Sequence, residues 1–257
     1  MKIYVFSAKA FRKVLGTFLV ILCVITAFTL LLFKYDSSVV NLKKELPIYY
    51  VDTSEKKASI TFDCAWGADD IPSILDTLKK ENVKATFFFV GHWAEKYPDT
   101  VKMIANEGHD IANHSYSHLR MGVLDRGKIS QEISQCGKVL TGISGKEVNL
   151  FRPPYGDYTD NVIVAARSLG YYPIQWDVDS LDWRPGISRD EILDRVMRRV
   201  QKGSIILFHN DTPHTANMLP GIISSLKKEG YTLVPVSELI HKGDYTLDVD
   251  GKQIIKQ

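Results

Sequence analysis

Hydrophobic and polar positions divide the chain into two unlike regions. From Val14 to Phe33 it runs about twenty residues without a charge, rich in Leu, Val, Ile and Phe, and apolar on every face a helix would have. That is enough to cross a hydrocarbon core as an α-helix. Lys2, Lys9, Arg12 and Lys13 precede the stretch and favour an amino terminus left in the cytoplasm. Lys34, Lys43 and Lys44 on the other flank make that asymmetry modest, but a long following domain is translocated regardless. A cleaved signal peptide has a shorter apolar core and a small-x-small site after it, and no such site follows Phe33. The pattern predicts an uncleaved anchor at 14–33, a cytoplasmic amino terminus at 1–13 and an extracytoplasmic remainder.

Beyond the anchor, residues 34–57 read as a polar tether, with a short apolar patch at Leu46 to Val51 that suits an edge strand. From Ala58 the periodicity alternates between two and 3.6. Ala58 to Phe62 has strand alternation and ends at Asp63, whereas Ile71, Ile74, Leu75 and Leu78 recur at helical spacing, with Pro72 tolerated in the first turn. Strands follow at Ala85 to Val90, Asp110 to Ala112, Leu150 to Arg152, Tyr171 to Trp176, Ser204 to Phe208 and Thr232 to Val234. Between them lie helices near Asp99 to Glu107, Lys128 to Thr141, Asp160 to Leu169, Arg189 to Gln201 and Gly221 to Glu229, and a short one follows at Val236 to Ile240. Such alternation predicts an α/β fold with a parallel sheet, closed or nearly so. The tail at 242–257 carries Asp250-Gly251 between β-prone runs, a hairpin signal.

Composition changes this picture little. With 257 residues, 45% hydrophobic and 24% charged, the chain can bury a full core without disulfides. Its formal charge of +2 points to no partner, and basic residues interleaved with acids exclude a nucleic-acid surface. There is no GxGxxG, Walker loop, CxxC or GxSxG. Of three cysteines, Cys23 lies in the apolar span, leaving Cys64 and Cys136 to meet an oxidising exterior, where they could pair.

The candidate chemistry centres on Asn113-His114-Ser115-Tyr116-Ser117-His118. Two imidazoles four apart can share a face of one helical turn or tight loop and ligate a divalent metal, although that spacing is as often two solvated histidines. The pair keeps company with Thr61-Phe62-Asp63, Arg152-Pro153-Pro154-Tyr155-Gly156, Asp179-Ser180-Leu181-Asp182-Trp183 and Leu207-Phe208-His209. This ordered set, from about Ala58 to about Ile240, resembles the polysaccharide deacetylases, the NodB-homology domain of carbohydrate esterase family 4. The resemblance implies a distorted, incomplete (β/α) barrel over 58–241. One position departs from the family pattern: its first motif reads Thr-Phe-Asp-Asp, the second aspartate binding metal, and here that residue is Cys64. The Thr-Phe-Asp-Cys-Ala-Trp form is similar to a subgroup of spore-forming bacteria, which brings in a role in sporulation.

By this resemblance Asp63 is the general base, held by a forked contact from Arg152, and His209 is the general acid, kept protonated by Asp182. The backbone N–H of Tyr155 stabilises the oxyanion, Leu207 and Trp183 wall the acetyl methyl, and His114 and His118 bind the metal. Three readings of Cys64 stand open. It is the third ligand, which makes Zn²⁺ the expected cation with Co²⁺ as substitute; or it stands aside while the histidines hold the metal with water or Asp63; or the site is metal-free and inactive. Asp179 lies near the site or merely caps its loop, and His92, His109, His214 and His241 have no role.

The implied function is removal of N-acetyl groups from amino-sugar polysaccharide, peptidoglycan above all, since an anchor on the outer membrane face puts the domain beside the wall. Chitin-type oligosaccharides and acetylated xylan use the same chemistry. Two rivals remain: a glycan-binding or structural wall protein without turnover, and a hydrolase of another amide, such as a small cyclic one.

Overall fold

The computed structural model describes residues 7–36 and 44–256, and the chain divides between Lys44 and Glu45 into two compact units. Lys2 of the expected cytoplasmic segment and Lys43 of the expected tether lie outside the described residues. The first unit contains helix α1 (Ala8–Asp36), whose stretch Phe11–Leu30 is long and apolar enough to cross a membrane.

The second unit alternates strand and helix: β1 (Tyr50–Val51), β2 (Lys57–Cys64), α2 (Ile71–Lys80), β3 (Thr86–Phe89), α3 (Gly91–Lys96), α4 (Pro98–Asn106), β4 (Asp110–Asn113), α5 (Arg126–Ser144), β5 (Leu150–Phe151) and α6 (Asp160–Ser168). It continues with β6 (Tyr172–Pro173), β7 (Val178–Asp179), α7 (Arg189–Arg199), β8 (Ser204–His209), α8 (Thr215–Lys228), β9 (Thr232–Leu233), α9 (Val236–Leu239), β10 (Tyr245–Leu247) and β11 (Lys252–Ile255). Local signals mark several boundaries. Ser188 caps α7 reciprocally with Glu191, α2 opens with a proline in its first turn, and α5 stops at left-handed Gly145.

The sheet runs β10-β11-β1-β8-β2-β3-β4-β5-β6, with β7 added beside β8 and β9 beside β2. From β8 through β6 every pairing is parallel, and β1 joins β8 antiparallel. A narrow seam closes the ring: Ile48 N–H donates to Pro173 O at 2.8 Å and Gln175 N–H to Ile48 O at 2.7 Å. The expected distorted (β/α) barrel is the observed one.

Period-two alternation splits the apolar residues between two cores. Ile60, Phe62, Phe87, Phe89, Ile206 and Phe208 face outward under the helices, with Phe62 stacked on Phe87 at 4.9 Å between ring centroids. Phe88, Ala112, Leu150, Ile174 and Ile205 face inward and fill the barrel. Each buried phenylalanine contributes roughly 1.5–3 kcal/mol.

Three local expectations need correction. The compact unit begins at Glu45, not Ala58, because residues 47–51 bond to both β6 and β8, and the tail at 242–257 supplies β11, which pairs with β1. Helix α8 starts at Thr215 and carries Pro220 inside it, so a residue that reads as a boundary is here only a missing donor. The strand expected over 171–176 shrinks to β6, since Trp176 and Asp177 leave the ladder before β7 begins.

Candidate active site

The parallel strands end on one side, and the chemistry sits there, where side chains just past several strands converge. Asp63 lies near the end of β2, His114 follows β4, Arg152 follows β5, Asp179 ends β7 and His209 ends β8. A pocket of about 530 Å³ opens among them. Asp63, His114, His118, Tyr155, Asp179 and His209 line it, and Trp66, Trp176, Trp183, Leu207 and Ala65 complete the wall.

Arg152 is wholly buried. Its Nη1 donates to Asp63 Oδ1 at 2.7 Å and to Thr61 Oγ1 at 2.9 Å, and its Nη2 donates to Gln175 O at 3.1 Å. The contact with Asp63 is therefore single, not the expected fork, because the second nitrogen is taken by the chain leaving β6. The guanidinium also lies 4.0 Å over the Phe88 ring, which packs its flat face. Burial alone would raise the Asp63 pKa, but Arg152, then His114 and His209, outweigh it and hold the carboxyl below its ordinary value.

The two histidines sit on a tight loop, not a helix. His114 Nδ1–H donates to Arg152 O at 2.8 Å, a bond only that tautomer can make, so in the neutral ring Nε2 keeps its lone pair. That Nε2 is 3.4 Å from Asp63 Oδ2. His118 Nδ1 is 3.1 Å from the Tyr155 hydroxyl, and the two imidazole centroids are 5.1 Å apart. Burial lowers both pKa values, that of His118 to about 4, and so keeps both rings neutral. Glu132 on α5 holds the loop, accepting from Ser117 N–H at 2.7 Å and from its hydroxyl at 3.2 Å.

At the opposite wall Asp182 is buried and grips His209 twice: Oδ1 accepts from Nδ1 at 2.8 Å and Oδ2 from the backbone N–H at 2.7 Å. Burial opposes protonation of this ring, but the bond and charge of Asp182, aided by Asp63 and Asp179, raise its pKa above the ordinary value. With Nδ1–H committed, Nε2 is the atom left to carry a transferable proton. Asp179 both lines the pocket and accepts from Leu181 N–H at 2.8 Å, so its two open readings coexist.

Cys64 is not brought into this group. It is the next residue along β2 from Asp63, so its side chain points to the other face, buried among the outward core residues, and it does not line the pocket. Burial first, then the charges of Asp63 and Asp70, push its thiol pKa far up. It makes no disulfide with Cys136. Among the described residues no three His, Cys, Asp or Glu side chains form a ready metal cluster. The neutral, oriented imidazoles of His114 and His118 nevertheless suit a divalent cation; the thiol does not.

Besides Trp66, which lines the pocket from the loop after β2, two residues escaped the sequence reading. Thr215 at the start of α8 donates its hydroxyl to Asp182 Oδ2 at 2.6 Å, and Trp176 walls the pocket. A lone threonine past the last motif carries no spacing signal; Trp176 sits where a strand was expected.

Residues 50–174 match the polysaccharide deacetylase family. The chain is 37% identical over 191 residues to a peptidoglycan-N-acetylglucosamine deacetylase of Bacillus cereus, covering 72% of this chain and 69% of that protein. It is 32% identical to the peptidoglycan-N-acetylmuramic acid deacetylase PdaA of Bacillus subtilis, covering 77% of each. Among solved structures, a carbohydrate esterase family 4 pseudoenzyme from Bacillus anthracis superposes with a TM-score of 0.73 at 33% identity, over 82% of this chain and 71% of that one. Sequence motifs, barrel and relatives agree, and the chain belongs to the polysaccharide deacetylase family.

Proposed function

We propose that this protein is a membrane-anchored, outward-facing hydrolase that removes N-acetyl groups from the glycan strands of peptidoglycan. The observation that carries the reading is one pocket holding Asp63, its pKa lowered by Arg152, and, across it, His209, its pKa raised by Asp182. Paired groups with pKa values driven apart are what general base and general acid need. Asp63 takes a proton from water as its oxygen adds to the acetamide carbon. His209 returns one to the nitrogen as the C–N bond breaks, leaving acetate and a free amine. Tyr155 N–H would face the oxyanion, with Leu207 and Trp183 against the methyl.

A divalent cation, Zn²⁺ or Co²⁺ in its place, would be held by His114 and His118, and when bound supplies water acidification and carbonyl polarisation. The choice of zinc rests now on imidazole alone, since the thiolate argument fails with Cys64 turned away. The peptidoglycan substrate is supported by the names of the relatives, and the outer-face location by α1 and by where such a substrate lies. A sporulation role is supported only by the first-motif form.

A second reading is favoured by the pseudoenzyme neighbour: the same fold retained as a glycan-binding wall protein. Acetate release from a soluble N-acetylglucosamine oligomer decides between them. Wild-type protein supplied with zinc or cobalt should release acetate, and Asp63→Asn should lower the rate about 10²–10⁴-fold. Binding of the oligomer with no acetate released by wild type would sink the hydrolase reading.

A further inference from the structure

The cleft continues past the Asp63–His209 pocket. A second concavity of about 370 Å³ is walled on its far side by His92, Trp93, Lys96 and Tyr97, and on its near side by Ala65 and Trp66. Those last two residues also line the first pocket. Trp66 thus borders both hollows. It is 60% exposed and stands edge-on to His118, with 5.5 Å between ring centroids.

This exposure is built, not loose. Gly67 N–H donates to Asp211 Oδ2 at 2.9 Å, and Gly67 O accepts from Trp93 Nε1 at 3.0 Å and from the Asn210 amide. Asp211 N–H donates in turn to Asp70 Oδ2 at 2.8 Å. A Cβ at position 67 would meet the Asp211 carboxylate at 2.8 Å, so that carboxylate packs directly on the backbone beside Trp66. Holding a large apolar ring out in water costs free energy that folding does not recover. A ring so held at a cleft suits a ligand with an apolar face, and the C–H face of a pyranose is one.

The charge of the second hollow is one-sided. Among the described residues Lys96 alone carries a fixed charge on its wall, its ammonium lying 5.0 Å over the Tyr97 ring, and no Asp or Glu lines it. Asp69 and Glu95, the acids nearest along the chain, lie outside it, and Glu95 is engaged by the Tyr116 hydroxyl at 3.0 Å.

We propose that Trp66 is a sugar-stacking platform, and that the groove at 92–97 takes the adjoining residue of the glycan strand through an acidic substituent, a carboxylate facing Lys96. This rests on the peptidoglycan reading above and deepens it, assigning the side chains that would hold a neutral sugar and its acidic neighbour. Continuity through Ala65 and Trp66 supports one polymer in both hollows, and the unbalanced cation supports the acid.

Binding is measured by titration calorimetry on the full chain in detergent, with two probes: a neutral N-acetylglucosamine tetramer and a tetramer in which alternate sugars bear a lactyl carboxylate. Trp66→Ala should weaken both by roughly tenfold, the scale of an aromatic anchor, and Trp66→Phe should recover most of it. Lys96→Gln should reduce the acidic-to-neutral affinity ratio roughly three- to fivefold, the scale of one exposed charge contact, as should high salt in the wild type. Wild-type affinity in Trp66→Ala overturns the platform, and an unmoved ratio in Lys96→Gln overturns the acidic occupant. Either result alongside acetate release defeats this inference alone; no binding of either tetramer to wild type defeats the glycan reading with it.

Discussion

Asp63 and Cys64 are neighbours whose fates differ because a strand alternates. One side chain meets Arg152 and the pocket, the other the apolar layer under the helices. Cys64→Ser should therefore leave bound metal per chain unchanged by elemental analysis, while lowering stability by about 1–3 kcal/mol for an unsatisfied hydroxyl in an apolar layer. His114→Ala should abolish stoichiometric metal. The His209–Asp182 pair makes a second prediction. Because Asp182 raises the His209 pKa, Asp182→Asn should shift the alkaline limb of the kcat/KM profile to lower pH. A raised folded-state pKa stabilises fully below the unfolded value of 6.5 and not at all far above the folded one. The Tm gap between wild type and Asp182→Asn should accordingly be widest below about pH 6.5 and narrow as pH rises through the folded pKa.

At the level of elements, strand ends deliver the chemistry and helices hold the connecting loops in costly shapes. Ser115, His118, Tyr155, Leu181 and Asp211 all take positive φ, between 56° and 64°, and all lie in loops around the cleft. Each such residue costs on the order of 1–3 kcal/mol, so something must over-determine the loops. For 114–118 it is Glu132 on α5, itself paired with Lys128 at 3.0 Å. Glu132→Ala should release that loop, weakening metal affinity about 10–100-fold in a competition titration, with Cys64→Ser as the unaffected control. Most elements were readable from periodicity. Two were not: Pro220 hid the first turns of α8, and α3, six residues long, is too short to show a period.

For the molecule as a whole, the division between Lys44 and Glu45 separates an apolar helix from a barrel with its own double core. With α1 as the anchor, the full chain should sediment with membranes and resist alkaline extraction. A chain beginning at Glu45 should remain in the soluble fraction, keeping β1 and its seam to β6. A chain beginning at Ala58 should not fold stably, since it lacks the strand that bonds β8 and β11.

The order of motifs, the alternation of strand and helix, the apolar span and the identities of Asp63, His114, His118, Arg152, Asp182 and His209 were all present in the linear chain, because periodicity and motif order are local properties. Which face each residue occupies near a strand end, how many Arg152 nitrogens reach Asp63, and the arrival of Thr215 and Trp66 at the cleft depended on packing between segments as many as 144 residues apart. Those contacts are made by backbones that meet only when the barrel closes, and no spacing rule along the chain encodes them.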